Sequence, residues 1–377
     1  MTSRRKWSCI WPSLLLVVVQ LGHARPASAQ GFGPDCGTPP LQLWVETVGH
    51  GNGSVVPVEM DPAADPGYVA GVLEGEVPWT SADAALQAQG VAARTWSSYK
   101  CTQHLLNDGQ HGLYDTGAAP YYDEEYWPDN PNNGNLPRMQ AMAEATSGQY
   151  MTYQGTMIDA EFGSKNGDPT GDWTGSGYPY LVQVQDPVST AEPCNCNCVG
   201  LGQVGAEHWA AGNDPTAANP LHPVWSTYLQ ILTHYYTGFD VVNASGTFFT
   251  PGYRWLPLSV GWSDGDQNVG AASHTLLPGD TYTINLTVQN AGTSAWSPGN
   301  FALGWLPING ILATVGSTVE PGATVTLQFS WTIPSTSGGP FQFEMYYLTP
   351  GGWYSFRGQD PSWPVYPSGL CITQPCG

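Results

Sequence analysis

The chain has 377 residues, with thirty acidic and ten basic side chains and a formal charge of −20. Four of the bases (Arg4, Arg5, Lys6, Arg25) and none of the acids lie in the first 29 positions, so the remainder carries six bases against thirty acids, a balance of −24. That argues against nucleic acid as a partner, because phosphate binding relies on clustered lysine and arginine, and it disfavours plain adsorption to anionic polymers. The 46 glycines and 33 prolines point to a loop-rich, β-rich exterior rather than a helical bundle.

In chain order, residues 1–29 read as a secretory signal: a basic start, a mainly apolar run from Leu14 to Leu21, and the small-residue site Ala27-Ser28-Ala29. The run is shorter than the ~20 residues that span a bilayer, so no membrane span is expected after cleavage. A secreted, extracellular protein follows. Residues 30–55 form a Gly/Pro-rich extension with one strand-like run, Leu41 to Val48. Residues 56–240 alternate helical and extended patterns, as expected of an α+β domain.

Within that block, Tyr68 opens a helical pattern that reaches Glu76, and Pro78 prevents it from continuing. Thr80 or Ser81 is positioned to cap a second helix, with Asp83 in its first turn. Ala85, Ala88, Ala92, Trp96 and Tyr99 give that helix a small, then aromatic, face. An acidic, aromatic, turn-rich excursion follows, GLYDTGAAPYYDEEYWPDNPNNGN. A third helix is expected from about Arg138 to Thr146, stopped by Gly148. A hairpin over Tyr150–Phe162 turns at Gln154-Gly155. A last helix spans about Pro223 to Tyr236.

After a linker, 241–254, the texture changes. Residues 255–366 alternate strictly, as in Tyr282, Ile284, Leu286 and Val288, then Val325, Leu327, Phe329 and Trp331. Turn signals at Pro278-Gly279 and Pro321-Gly322 separate such runs. This is the pattern of an all-β antiparallel sandwich. Residues 367–377 form a short tail holding Cys371 and Cys376, which are spaced to close a loop.

Eight cysteines include Cys9 in the signal, leaving seven, and export makes disulfides plausible. Cys36 and Cys101 have two of Cys194, Cys196 and Cys198 as one possible set of partners, which would leave an odd thiol; the connectivity stays open. The run Cys194-Asn195-Cys196-Asn197-Cys198 also admits a metal reading, since thiolates ligate zinc and copper. Its spacing departs from the usual CxxC, so no metal or other cofactor is assigned.

A carboxylate at a helix junction near Trp79 and Arg94 is a way to hold a proton donor beside a polar ligand. The plainer alternative is a helix-terminal carboxylate with a structural salt bridge nearby. The motifs YVAGVLEGEVP and ALQAQGVAARTW resemble the stage II sporulation protein D (SpoIID/LytB) family. So do ATSGQYMTYQGTMIDAEFGS, YPYLVQVQDP, VGLGQVGA and YLQILTHYYTG downstream. The resemblance covers about residues 55 to 240. A second one, carried by LLPGDTYTINLTVQNAGTSAW, is to an immunoglobulin-like domain in which Trp296 would be a core residue; it implies a fold and no activity.

The family resemblance implies a peptidoglycan lytic transglycosylase with Glu76 as the catalytic acid, and glycan strands as the partner. Glu76 must then be protonated near neutrality, which requires burial or a nearby negative charge such as Glu74. Arg94 is expected near the sugar; Trp79 and Trp173 are of the type to stack on sugar faces, with core packing the equal alternative for each. Ser164, Lys165 and Gln203 stand at motif positions associated with the substrate groove. Other cell-wall hydrolases or envelope proteins are expected partners of the sandwich.

The closing motif departs from the family's usual GHGVGxSQxGA. Asn197 stands for the histidine and Gly202 for the serine, and the glycine pair after FxS reads Lys165-Asn166. Asparagine cannot exchange a proton near neutral pH. The alternative function is therefore a non-catalytic wall-binding protein or amidase enhancer. His208 is close in sequence but out of register. A zinc site that some relatives carry after the arginine helix is not transferable, because the matching stretch has no cysteine.

Overall fold

The computed structural model describes residues 36, 42–61, 66–118, 120–121, 123–189, 191–195, 197–211, 224–250, 252–263, 275–276, 279–306, 310–332, 342–350, 352–356, 366–367 and 371–372. The signal segment, Cys196 and Cys376 lie outside them. No helix among the described residues is long and apolar enough to cross a membrane.

The first half is a mixture of helices and short strands. β1 (Gln42–Glu46) pairs antiparallel with β2 (Val55–Glu59) and parallel with β3 (Leu113–Tyr114). Between them lie α1 (Tyr68–Glu76) and α2 (Asp83–Lys100). α1 ends where the sequence requires, with Val77 extended ahead of Pro78. α2 begins later than its expected cap. Its N-cap is Ala82, whose amide is satisfied by the Glu207 carboxylate at 3.0 Å rather than by Thr80 or Ser81. The small face of α2 lets it run through the middle of the domain, against α1, α3 (Leu136–Ala145), α4 (Gln203–Ala211) and α5 (Tyr228–Tyr235).

The expected hairpin forms as β4 (Gln149–Tyr153) and β5 (Thr156–Met157). Gln154 and Gly155 both adopt positive φ, 51° and 78°, as a two-residue turn of this hand demands. β6 (Phe162–Gly163) pairs parallel with β7 (Leu201–Gly202). The motif Tyr178–Pro187, whose family likeness implies a strand, is not one. It runs as a loop tied by Thr170 N–H to the Val184 carbonyl and Trp173 N–H to the Leu181 carbonyl, both 2.9 Å. β8 (Asp240–Asn243) joins β4, so the expected linker 241–254 begins inside a sheet.

The second half is β-rich. β9 (Trp255–Ser263), β10 (Thr275–Leu276), β11 (Thr281–Asn290), β12 (Phe301–Leu306), β13 (Gly310–Thr314) and β14 (Thr324–Thr332) are followed by β15 (Gln342–Thr349), β16 (Gly352–Ser355), β17 (Tyr366–Pro367) and β18 (Cys371–Ile372). One sheet has the order β14-β11-β9; another runs β13-β12-β15-β16, with β17 also on β15. The alternation is realised: Tyr282, Ile284, Leu286 and Val288 are buried, as are Leu327, Phe329 and Trp331. Trp296 is fully buried beside Phe301 and Phe356.

The two halves share polar contacts as well as an apolar core. His234 on α5 sets Nδ1 2.7 Å from Oε1 of Gln289 on β11, and its Nε2 3.3 Å from Oδ1 of Asp186. Asp186 also accepts from Trp209, Ser189 and Tyr235 at 2.7–2.8 Å. Burial would raise its pKa, but these bonds and His234 outweigh that and hold it below the usual range.

Among the described residues the disulfides are Cys36–Cys101 and Cys194–Cys198. This sets aside the possible cross-pairing of Cys36 and Cys101 with the CNCNC run, because Cys101 at the end of α2 meets the N-terminal segment instead. The local bond also occupies the sulfurs that a metal at Cys194 and Cys198 would need.

Candidate functional site

Glu76 is the last residue of α1, half-buried, and faces two donors brought from distant segments. The N–H of Glu125 lies 2.9 Å from Oε1, and Gln203 Nε2 lies 3.3 Å from Oε2. Burial raises the Glu76 pKa above the usual carboxylate range, and the charge of Glu125 adds to it; the two donors pull the other way.

The acidic excursion reaches Glu76 because α1 has glycine at 71 and 75, one turn apart on one face. A side chain at Gly75 would collide with the backbone oxygen of Glu125, and one at Gly71 with the ring of Tyr126. The missing side chains let residues 124–126 lie directly on the helix. Asn130 and Asn133 fasten the same loop by donating to the Glu74 carbonyl at 3.0 and 2.8 Å. Glu74 itself turns away, accepting from the Asn135 N–H at 3.2 Å. The helical course of α1 thus separates it from Glu76, and the neighbouring charge comes from the loop.

Glu124 is buried beside Tyr68, whose hydroxyl is the donor that faces it. Burial pushes its pKa well up, and the charge of Glu76 adds to that. Across the site, Glu161 precedes β6. It takes Lys100 at 3.1 Å and the Asn197 amide at 2.8 Å, and Lys100 also bridges Asp159 at 2.8 Å. Burial and the charge of Glu161 raise the pKa of Asp159, against the pull of Lys100. Burial alone would lower the pKa of Lys100, but the two carboxylates hold it above the usual range.

Gln203 is therefore brought to Glu76. Trp79, three residues on, is 42% exposed and anchored through its N–H to Asn133 at 2.8 Å. Ser164 is exposed, and its carbonyl accepts from the Val204 N–H at 3.1 Å, next to Gln203. Lys165 is paired with Glu192. Trp173 packs against Tyr178. His208 faces the Val188 carbonyl at 2.9 Å, turned away from the motif position that Asn197 holds.

Arg94 stands apart. It is fully buried, forks onto Asp61 at 2.6 and 2.7 Å, and donates to the carbonyls of Gln149 and Ala143. Its donors point into the protein, so the expected sugar contact gives way to a buried ion pair. Glu124, Glu125 and Glu161 were not singled out in the sequence; the acidic YYDEEYW run and the paired glycines of α1 are the signals that point to the first two.

The stage II sporulation protein (SpoIID) family matches residues 54–153. The chain is also 31% identical over 119 residues to the amidase enhancer of Bacillus subtilis (strain 168), covering 31% of this chain and 15% of that relative. The chain thus spans a small part of the relative's length. The matched region holds α1, Glu76, α2 and the acidic loop, so the half of the site built on Glu76 lies within a SpoIID-like segment.

Proposed function

We propose that this is an exported peptidoglycan-active protein that cuts glycan strands as a lytic transglycosylase, with Glu76 as its single acid and base. The observation that carries the reading is the Glu76 carboxyl, raised in pKa by burial yet held by the Glu125 N–H and Gln203. A protonated Glu76 gives its proton to the bridging oxygen as the bond to the anomeric carbon breaks. The carboxylate left behind is the form the two donors stabilise. It takes the proton of the muramic 6-hydroxyl as that oxygen closes on the anomeric carbon, and Glu76 is restored without consuming water.

Hydrolysis needs a second, ionised carboxylate to activate water. Burial, with the charge of Glu76, pushes the pKa of Glu124, the buried neighbour, well up, which makes it a poor second carboxylate and favours the intramolecular route. The test is mass spectrometry of products from denuded glycan strands with wild type and Glu76→Gln. Anhydro ends that vanish in the variant are expected; reducing ends, or no products, overturn the reading.

The second reading is a non-catalytic wall-binding protein or amidase enhancer. Similarity to a protein of that name favours it, as does Asn197, whose amide is spent on Glu161. In that case wild type and Glu76→Gln stimulate a separate amidase equally and release no glycan fragments.

A further inference from the structure

The unmet hydrogen bonding around Glu76 is nearly all of one kind. The Oδ1 atoms of Asp159, Asn166 and Asn197 are shielded acceptors without a partner. The two asparagine oxygens are held in place by their own nitrogens. Asn166 Nδ2 donates to the carbonyls of Val199 and Gly200 at 2.9 and 2.8 Å, and Asn197 Nδ2 donates to Glu161. Neither amide can flip without losing those bonds.

The two asparagine oxygens converge on Gly163, where an added methyl would stand 3.1 Å from Asn166 Oδ1 and 3.2 Å from Asn197 Oδ1. This cluster adjoins Gln203, since β6 pairs with β7 and Gly202 lies against Asn166. Asn166, Asn197 and Gly202 are three of the positions where the chain departs from the SpoIID pattern, and they meet at one place.

The cations nearby are all engaged. Lys100 is held by Asp159 and Glu161, Lys165 by Glu192, and the His50 ring faces Glu125 at 3.1 Å, with Arg94 set apart on Asp61. A lactyl carboxylate or an acetamido carbonyl would find no spare positive donor among them. A free ammonium offers three N–H groups and a positive charge, which an acceptor-rich, acidic wall can satisfy.

Resting on the reading of this protein as glycan-active, we infer that the strand it takes beside Glu76 carries free amino groups, sugars whose C2 nitrogen is not acetylated. Glu161, beside Lys100, and Glu125, beside His50 at 3.1 Å, still keep 15% and 27% of their side-chain surface open and are the acids such a group meets first.

The test uses the full chain. Binding of glucosamine oligomers and of N-acetylglucosamine oligomers of equal length is measured calorimetrically at low and high salt, beside cleavage of N-acetylated and de-N-acetylated strands. The expected result is a preference of about tenfold or more for the free amines, weakening with salt. Glu161→Gln should reduce it, while the exposed Asp108→Asn, which removes the same charge elsewhere, should not. Equal binding, a preference for the acetylated form, or a loss shared by Asp108→Asn overturns the inference. Cleavage without preference overturns it while leaving the transglycosylase reading intact. Preferential binding without cleavage does the reverse.

Discussion

Gln203 donates its side-chain amide to Glu76 across 127 positions of sequence, at 3.3 Å. The contact joins the start of α4 to the end of α1, and with the Glu125 N–H it encloses one carboxyl between two donors. Both donors favour the ionised form of Glu76, against the burial that disfavours it.

Replacing Gln203 by leucine removes one of those donors. The Glu76 pKa should rise further, so the alkaline limb of the pH–activity profile moves to higher pH. The carboxylate formed on proton transfer is less well held, and kcat should fall by about tenfold, in keeping with a charged hydrogen bond worth ~1.5 kcal/mol. A pH–rate profile on glycan strands checks both effects.

Gly75→Ala places a methyl on the backbone oxygen of Glu125. Backbone cannot swing aside as a side chain can, so the acidic loop must lift from α1. A loss of about 1–3 kcal/mol is expected in urea unfolding, with a weaker Glu125 contact to Glu76 and reduced activity. Gly71→Ala meets the ring of Tyr126, which can shift, and should cost less.

Glu124 has a raised pKa in the fold and an ordinary one when unfolded. Its contribution to stability is complete below the unfolded pKa and is lost as the pH rises through the folded one. Glu124→Gln removes that slope. The variant should match wild type near pH 4 and be more stable by on the order of 1 kcal/mol at mildly alkaline pH. Thermal unfolding across this range is the measurement.

Arg94→Gln leaves Asp61 without its fork in a buried place. The expected cost is about 3–5 kcal/mol, seen in denaturation. Glycan affinity of the folded fraction should be unchanged, because the guanidinium offers no surface to a ligand.

The sequence was most legible where its signals are local. Pro78 ends α1, Gln154-Gly155 turn the hairpin, and alternation marks β11 and β14. Glu76 and Gln203 were legible through motif likeness. The rest of the site depends on what meets across long loops. Arg94 carries no local sign of its bond to Asp61, 33 positions earlier. Glu124 and Glu125 reach α1 only because two side chains are missing there. The cysteine pairing could not be read from spacing, since several connectivities fit the same positions.

The buried meeting of His234 and Gln289 bears on how this protein can be divided. The Gln289 amide also donates to the carbonyls of His234 and Gly322, both at 3.3 Å, and Arg254 caps the Phe239 carbonyl at 3.0 Å. Severing the chain near residue 254 would leave those polar groups facing solvent on each fragment, beside freshly exposed aromatic surface. Expressing either half alone should give sticky, poorly behaved material, and transplanting the β-rich half onto another protein should fail unless α5 travels with it.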